Sequence, residues 1–125
     1  MILGIGTDIV TVARMANKLD GNGDRFAKRL LTESEYAEYA TKHNGAAYLA
    51  KRFAAKEATV KAMGTGFADG ITWKHVCVRN NDKGAPYIEL SGPARDKALA
   101  MGVQHVHLSI SDEREHAVAF VILES

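Results

Sequence analysis

The run HVHLSISDEREHAVAFVIL, residues 105–123, reads as two β-strands joined by a charged turn. Val106, Leu108 and Ile110 alternate with His105, His107, Ser109 and Ser111, which gives a strand one apolar and one polar face. Asp112-Glu113-Arg114-Glu115 supplies the turn, and from His116 to Leu123 the next strand is apolar on both faces. A strand buried on both sides in so small a protein points to an oligomer interface.

Working backwards, Pro93 to Met101 suits a short helix with proline near its start and Gly102 beyond its end. Ile71 to Arg79 and Pro86 to Leu90 alternate and flank Asn80-Asn81-Asp82-Lys83-Gly84, the pattern of an antiparallel hairpin. The first half has the helical period instead. A helix is expected from about Ala46 to Met63, stopped by Gly64, with the Asn44-Gly45 break before it. Thr32-Glu33-Ser34-Glu35 fits a capping box, so another helix is expected from Thr32 to about His43. Residues 1–7 read as a strand that stops at Asp8, followed by a helix from Ile9 to Leu19 and a breaker at Asp20-Gly21-Asn22-Gly23. The expected class is α+β: early helices packed on a late antiparallel sheet that the N-terminal strand joins, in one domain over residues 1–125.

The chain has 125 residues, 46% of them hydrophobic and 25% charged. That is enough for one core but small for an enclosed active site, so a site shared between subunits is a natural expectation. Cys77, the single cysteine, cannot form an internal disulfide, and Met1-Ile2-Leu3-Gly4 offers neither a basic n-region nor an apolar run of signal length; a cytoplasmic protein is expected. No apolar stretch approaches the roughly 20 residues that span a bilayer, which argues against membrane insertion. A net charge of +1 argues against a general nucleic-acid binder. The charge is nevertheless clustered: Arg14, Lys18, Arg25, Lys28 and Arg29 face only Asp20 and Asp24, and Lys42, Lys51, Arg52, Lys56 and Lys61 face only Glu57. Two basic segments suggest two anionic partners, one macromolecular and one a phosphorylated small molecule, with two solvated helix faces as the plainer alternative.

On the long helix Leu49, Phe53, Val60 and Met63 form an apolar stripe, with Glu57 and Lys61 one turn apart along its edge beside Ala50 and Ala54. Two readings are open: a stabilising i,i+4 ion pair, or two charges lining a ligand cleft. Lys56 points into the apolar stripe, either snorkelling or reaching an anion in a cleft. Asp8, between strand and helix, is placed to be an N-cap. Paired with Glu57 it could also hold Mg²⁺, which usually takes only one or two protein carboxylates. Gly64-Thr65-Gly66 reads chiefly as a C-cap. His105 and His107 lack the further ligands a zinc site needs, and Cys77 reads as a packed thiol.

Taken together, Gly4-Ile5-Gly6-Thr7-Asp8-Ile9-Val10 with Arg14, Arg52-Phe53-Ala54-Ala55-Lys56-Glu57 with Lys61, Gly64-Thr65-Gly66, the Gly84-Ala85-Pro86 hairpin and Val106-His107-Leu108-Ser109 closely resemble, in order and over essentially the whole chain, the holo-acyl-carrier-protein synthase family of 4′-phosphopantetheinyl transferases. The resemblance implies that family's fold in a homotrimer, with transfer of 4′-phosphopantetheine from coenzyme A to a serine of an acyl carrier protein. It implies Mg²⁺ on Asp8 and Glu57, with Lys61 as the third catalytic residue. Arg52, Lys56, Gly64, Thr65, Pro86 and His107 would contact substrate, and Arg14, Arg25 and Arg29 the acidic carrier protein. Glu57 or a metal-held water would take the serine proton. Where the family usually has a basic residue between the hairpin's glycine and proline, this chain has Ala85. The rival classes are a non-catalytic module that binds an acidic protein and a metal-dependent phosphoesterase.

Overall fold

Helix and sheet meet through glycine. The computed structural model describes residues 1–19 and 24–125. Its elements are β1 (Ile2–Thr11), α1 (Val12–Leu19), α2 (Arg25–Leu30), α3 (Glu33–Tyr39), α4 (Gly45–Met63), a 3₁₀ turn (Trp73–His75), β2 (Val76–Asn80), β3 (Pro86–Leu90), α5 (Gly92–Met101), β4 (His105–Asp112) and β5 (His116–Glu124). One antiparallel sheet runs β1-β5-β4, and β2 and β3 form a separate hairpin rather than joining it.

Gly4, Gly6, Asp8 and Val10 share one face of β1, because successive side chains alternate. This face lies against α4: a Cβ added at Gly4 or Gly6 would run into the backbone of Ala62 or Ala58. From β5 the same face receives Ala117, Ala119, Val121 and Leu123, all buried. α4 is thereby enclosed on most sides, and the expected stripe of Leu49, Phe53, Val60 and Met63 is only part of what it buries. The opposite face of the sheet is different. Ile5, Ile9 and Phe120 stand 56%, 64% and 43% exposed there, beside Val118 and Ile122.

Several boundaries moved, each for a tertiary or capping reason. β1 does not stop at Asp8, because β5 pairs with it as far as Thr11 opposite His116. α1 therefore starts at Val12, with the Thr11 hydroxyl accepting the Arg14 amide, and Asp8 is no N-cap. The expected breaker at residues 20–23 lies outside the described residues. α2 was not expected; it buries Phe26, Ala27 and Leu30, the i, i+1, i+4 pattern of a single apolar face. The capping box of α3 forms as expected, Thr32 accepting from the Glu35 amide and Glu35 from the Thr32 amide. The helix nevertheless ends at Tyr39, where tighter bonds from Thr41 and Lys42 to the carbonyls of Glu38 and Tyr39 replace the α pattern. Asn44 caps α4, and Gly64, at φ 75°, closes it in the left-handed conformation glycine adopts without strain. Ile71 to His75 is not strand: His75 Nδ1 accepts the Thr72 amide and winds the short 3₁₀ turn before β2.

Candidate active site

The close approach of β1 to α4 brings Asp8 beside the fourth and fifth turns of the helix. Lys61 Nζ donates to Asp8 Oδ1 at 2.8 Å and to the Thr7 carbonyl at 3.1 Å. An ammonium has three donors, so one remains for a ligand, and the Lys61 side chain is 52% exposed. Lys61 thus pairs across to the strand; of the two readings left open for Glu57 and Lys61, the i,i+4 ion pair does not form. Glu57 is half-buried. Burial first, and then the negative charge of Asp8, push its carboxyl above the ordinary value, while Trp73, Lys61 and Arg14 oppose the shift. Two carboxylates on separate elements, Asp8 close enough to disfavour the ionisation of Glu57, fit a divalent cation of the hard, oxygen-seeking kind. No group of three or more histidine, cysteine, aspartate or glutamate side chains gathers among the described residues, so a cation here would complete its shell from substrate or water.

Around this centre the basic residues divide. Arg14 lies with its guanidinium 4.9 Å from the Phe53 ring, one helical turn from Glu57. Arg25 and Arg29, with Lys28 and Lys74, rim a cleft of about 710 Å³ whose floor is Phe67, Ile71 and Trp73. Arg52 lies under the surface, 4% exposed, stacked 4.5 Å over Tyr48 and reaching Glu38 and Asn80. Its Nε is buried without a partner, in a cleft of about 380 Å³ shared with Lys42, His43 and Lys51.

Lys56 requires a correction. It is 0% exposed, and its three donors are all used, on Glu35 Oε1 at 2.6 Å, the Leu30 carbonyl at 2.9 Å and the Trp73 carbonyl at 3.0 Å. It neither snorkels nor reaches a substrate anion: it is a structural cation. Gly64 needs a narrower one. The amides of Gly64, Thr65 and Gly66 are spent capping α4 on the carbonyls of Lys61 and Val60, so no backbone donor is left for a phosphate. The Thr65 hydroxyl and the open surface above the glycines remain.

Pro86 opens β3, opposite Asn80. His107 is exposed on β4 and bonds Glu124 at 3.0 Å. It pairs with Ile122, which pairs with Ile5, so it projects from the sheet face opposite Asp8. Within one chain the two cannot meet. Sequence reasoning missed Glu35 and Trp73. Glu35 was read only as a cap, and the one signal for Trp73 was its being the sole tryptophan.

The sequence model of the 4′-phosphopantetheinyl transferase superfamily matches residues 4–121. A holo-[acyl-carrier-protein] synthase of Vibrio parahaemolyticus is 53% identical over 124 residues, covering 99% of this chain and 98% of that one. The crystal structure of holo-[acyl-carrier-protein] synthase from Neisseria meningitidis superposes with a TM-score of 0.91 at 41% identity, over 100% of both chains. That of the Bacillus anthracis enzyme, in complex with CoA (3′,5′-ADP), gives 0.83 at 39% identity, over 100% of this chain and 98% of the other. With the motifs, the α+β fold and the matches all spanning nearly the full length, the chain belongs to the 4′-phosphopantetheinyl transferase superfamily.

Proposed function

We propose that this chain, as one domain over residues 1–125, is a cytoplasmic holo-acyl-carrier-protein synthase. It transfers 4′-phosphopantetheine from coenzyme A to a serine of apo acyl carrier protein in fatty acid biosynthesis and releases adenosine 3′,5′-bisphosphate. The observation that carries the reading is the meeting of Asp8, Glu57 and Lys61 across β1 and α4, in a chain about half identical to relatives of that name.

The serine oxygen forms a bond to the β-phosphorus of coenzyme A while the bond from that phosphorus to the bridging oxygen breaks, and the nucleotide leaves with the electron pair. Such a transfer depends mostly on positioning and charge neutralisation. Asp8 and Glu57 are the residues that would hold Mg²⁺, which supplies polarisation of the pyrophosphate when bound. The free donor of Lys61 faces the developing charge on the leaving phosphate. Glu57 accepts the serine proton, directly or through one water. The cleft lined by Arg52, Lys42, His43 and Lys51 suits a further phosphate of coenzyme A, and the Thr65 hydroxyl a polar group nearer the reaction centre.

The carrier protein docks on the basic rim of Arg14, Arg25 and Arg29. The apolar floor of their cleft supports this reading, because an acidic helix brings apolar side chains between its carboxylates. The exposed apolar sheet face of Ile5, Ile9 and Phe120 supports a homotrimer. In that assembly Pro86 and His107 serve a neighbour's site, consistent with His107 projecting away from Asp8 in its own chain.

The test is to incubate the chain with apo carrier protein, coenzyme A and Mg²⁺ and to weigh the carrier, which gains about 340 Da only by transfer of the arm. Asp8→Asn and Glu57→Gln are each expected to abolish the gain while leaving the fold intact. A carrier of unchanged mass that binds the chain points to a binding module. Nucleotide released without carrier modification points to a phosphoesterase.

A further inference from the structure

Lys56 and Glu35 pose a question that substrate binding does not answer. Burial pushes the Lys56 ammonium below its ordinary pKa, and Glu35 opposes the shift. A buried ion pair of this kind adds little stability over a well-packed apolar pair, yet this one is fully bonded. Glu35 Oε1 also accepts the Thr32 amide and its Oε2 the Val78 amide, each at 2.8 Å. With the Lys56 bonds to Leu30 and Trp73, the pair ties the end of α2, the start of α3, the centre of α4, the 3₁₀ turn and β2 at a single point.

Trp73 is the residue this tie orients toward the site. Its carbonyl is bound by Lys56, the neighbour of Glu57 in sequence, and its ring sits between Phe26, Phe53 and Phe67 at centroid distances of 5.8–6.0 Å. Both backbone and ring are therefore held against the helical turn from Phe53 to Glu57. The indole N–H is buried and has no partner at hydrogen-bonding geometry. A buried donor left open costs free energy unless an acceptor takes it up. Glu57 is the carboxylate one turn beyond Phe53 on the same face of α4, the face against which the Trp73 ring packs.

We propose that Trp73 is a positioning residue for Glu57, its indole N–H reserved for that carboxylate when it holds a cation, and that the buried Lys56–Glu35 pair keeps it in place. The proposal rests on the reading of Asp8 and Glu57 as a cation site. Hydrogen bonds from outside the ligand shell orient a ligating carboxylate, and losing one typically weakens metal affinity by about 10- to 100-fold.

Mn²⁺ binding to the metal-free chain, followed by electron paramagnetic resonance of the free ion, tests this without turnover. Trp73→Phe keeps the aromatic packing and removes the donor. It is expected to weaken Mn²⁺ binding by about tenfold or more, with an unchanged circular dichroism spectrum. The paired variant Lys56→Met/Glu35→Gln removes both buried charges together. It is expected to weaken binding in the same way and to shift the emission of the sole tryptophan to the red. If the pair acts through Trp73, combining all three changes weakens binding no further than Trp73→Phe alone. Should the paired variant fail to fold, Trp73→Phe decides. Wild-type Mn²⁺ affinity in folded Trp73→Phe overturns this proposal alone. A wild-type chain whose Mn²⁺ binding is absent, or survives Asp8→Asn, overturns the cation site and the proposal with it.

Discussion

Replacing Gly6 with alanine separates the packing of β1 on α4 from the chemistry it serves. A Cβ at this position would overlap the Ala58 carbonyl oxygen and stand 2.7 Å from the Ala62 amide nitrogen and 3.0 Å from the Ala58 carbonyl carbon. All are backbone atoms of α4, so no side-chain rotation relieves them. The helix must retreat by about 1.4 Å before the nearest contact reaches ordinary van der Waals separation. Asp8 lies two residues along the same strand face, so its 2.8 Å contact with Lys61 stretches by a similar amount, beyond hydrogen-bond range. Overpacking of this kind costs about 1–3 kcal/mol, which in a chain of this size lowers Tm by roughly 4–12 °C. Displacing reacting groups by about 1 Å costs on the order of 100-fold in rate. Gly6→Ala is therefore expected to fold, melt somewhat earlier, and transfer about two orders of magnitude more slowly. Thermal circular dichroism and the rate of mass gain by the carrier measure the two effects. A variant with wild-type Tm and a rate within about twofold of wild type refutes the argument that glycine contact sets the site's geometry.

Arg25→Glu is expected to slow carrier-protein association and flatten its salt dependence while leaving coenzyme A affinity unchanged; an unaltered KM for carrier at low salt counts against the docking face. Glu57→Gln and His107→Ala are each expected to be poor enzymes that regain activity when refolded together, because in the proposed homotrimer mixed assemblies would rebuild an intact interface. Verified mixed trimers without gain place the whole site in one chain. In the metal-free protein the Glu57 carboxyl is expected to titrate above its ordinary 4.5 by NMR, and to fall partway toward it in Asp8→Asn, since burial, the larger cause, remains; an unmoved titration rejects the proximity of the two carboxylates. A carboxyl whose folded pKa is raised binds its proton more tightly in the folded state. Its contribution to stability is thus full below the unfolded value and lost as pH rises through the folded one. Glu57→Gln should therefore melt above wild type at pH 7, by a margin that shrinks toward pH 4. A lower melt at pH 7 contradicts the sign.

Local sequence carried the features that depend on neighbours along the chain. The alternation from His105 to Ser111 and the apolar run from His116 to Leu123 determined β4 and β5, Thr32 with Glu35 determined where α3 starts, and Gly64 determined where α4 stops, because period, cap and left-handed glycine act within a few residues. The motifs also named Asp8, Glu57 and Lys61 together. What they did with one another was left to tertiary structure. Asp8 continues a strand instead of capping a helix because β5, more than a hundred residues away, supplies its ladder. Lys61 chose Asp8 over Glu57 because Gly4 and Gly6 let α4 approach β1 closely enough. Lys56, the same residue type on the same helix, was drawn inside by Glu35 and two carbonyls that no spacing along α4 announces. Periodicity reports which face of an element is apolar. Which charge meets which partner depends on how closely separate elements approach, and that distance exists only in the folded chain.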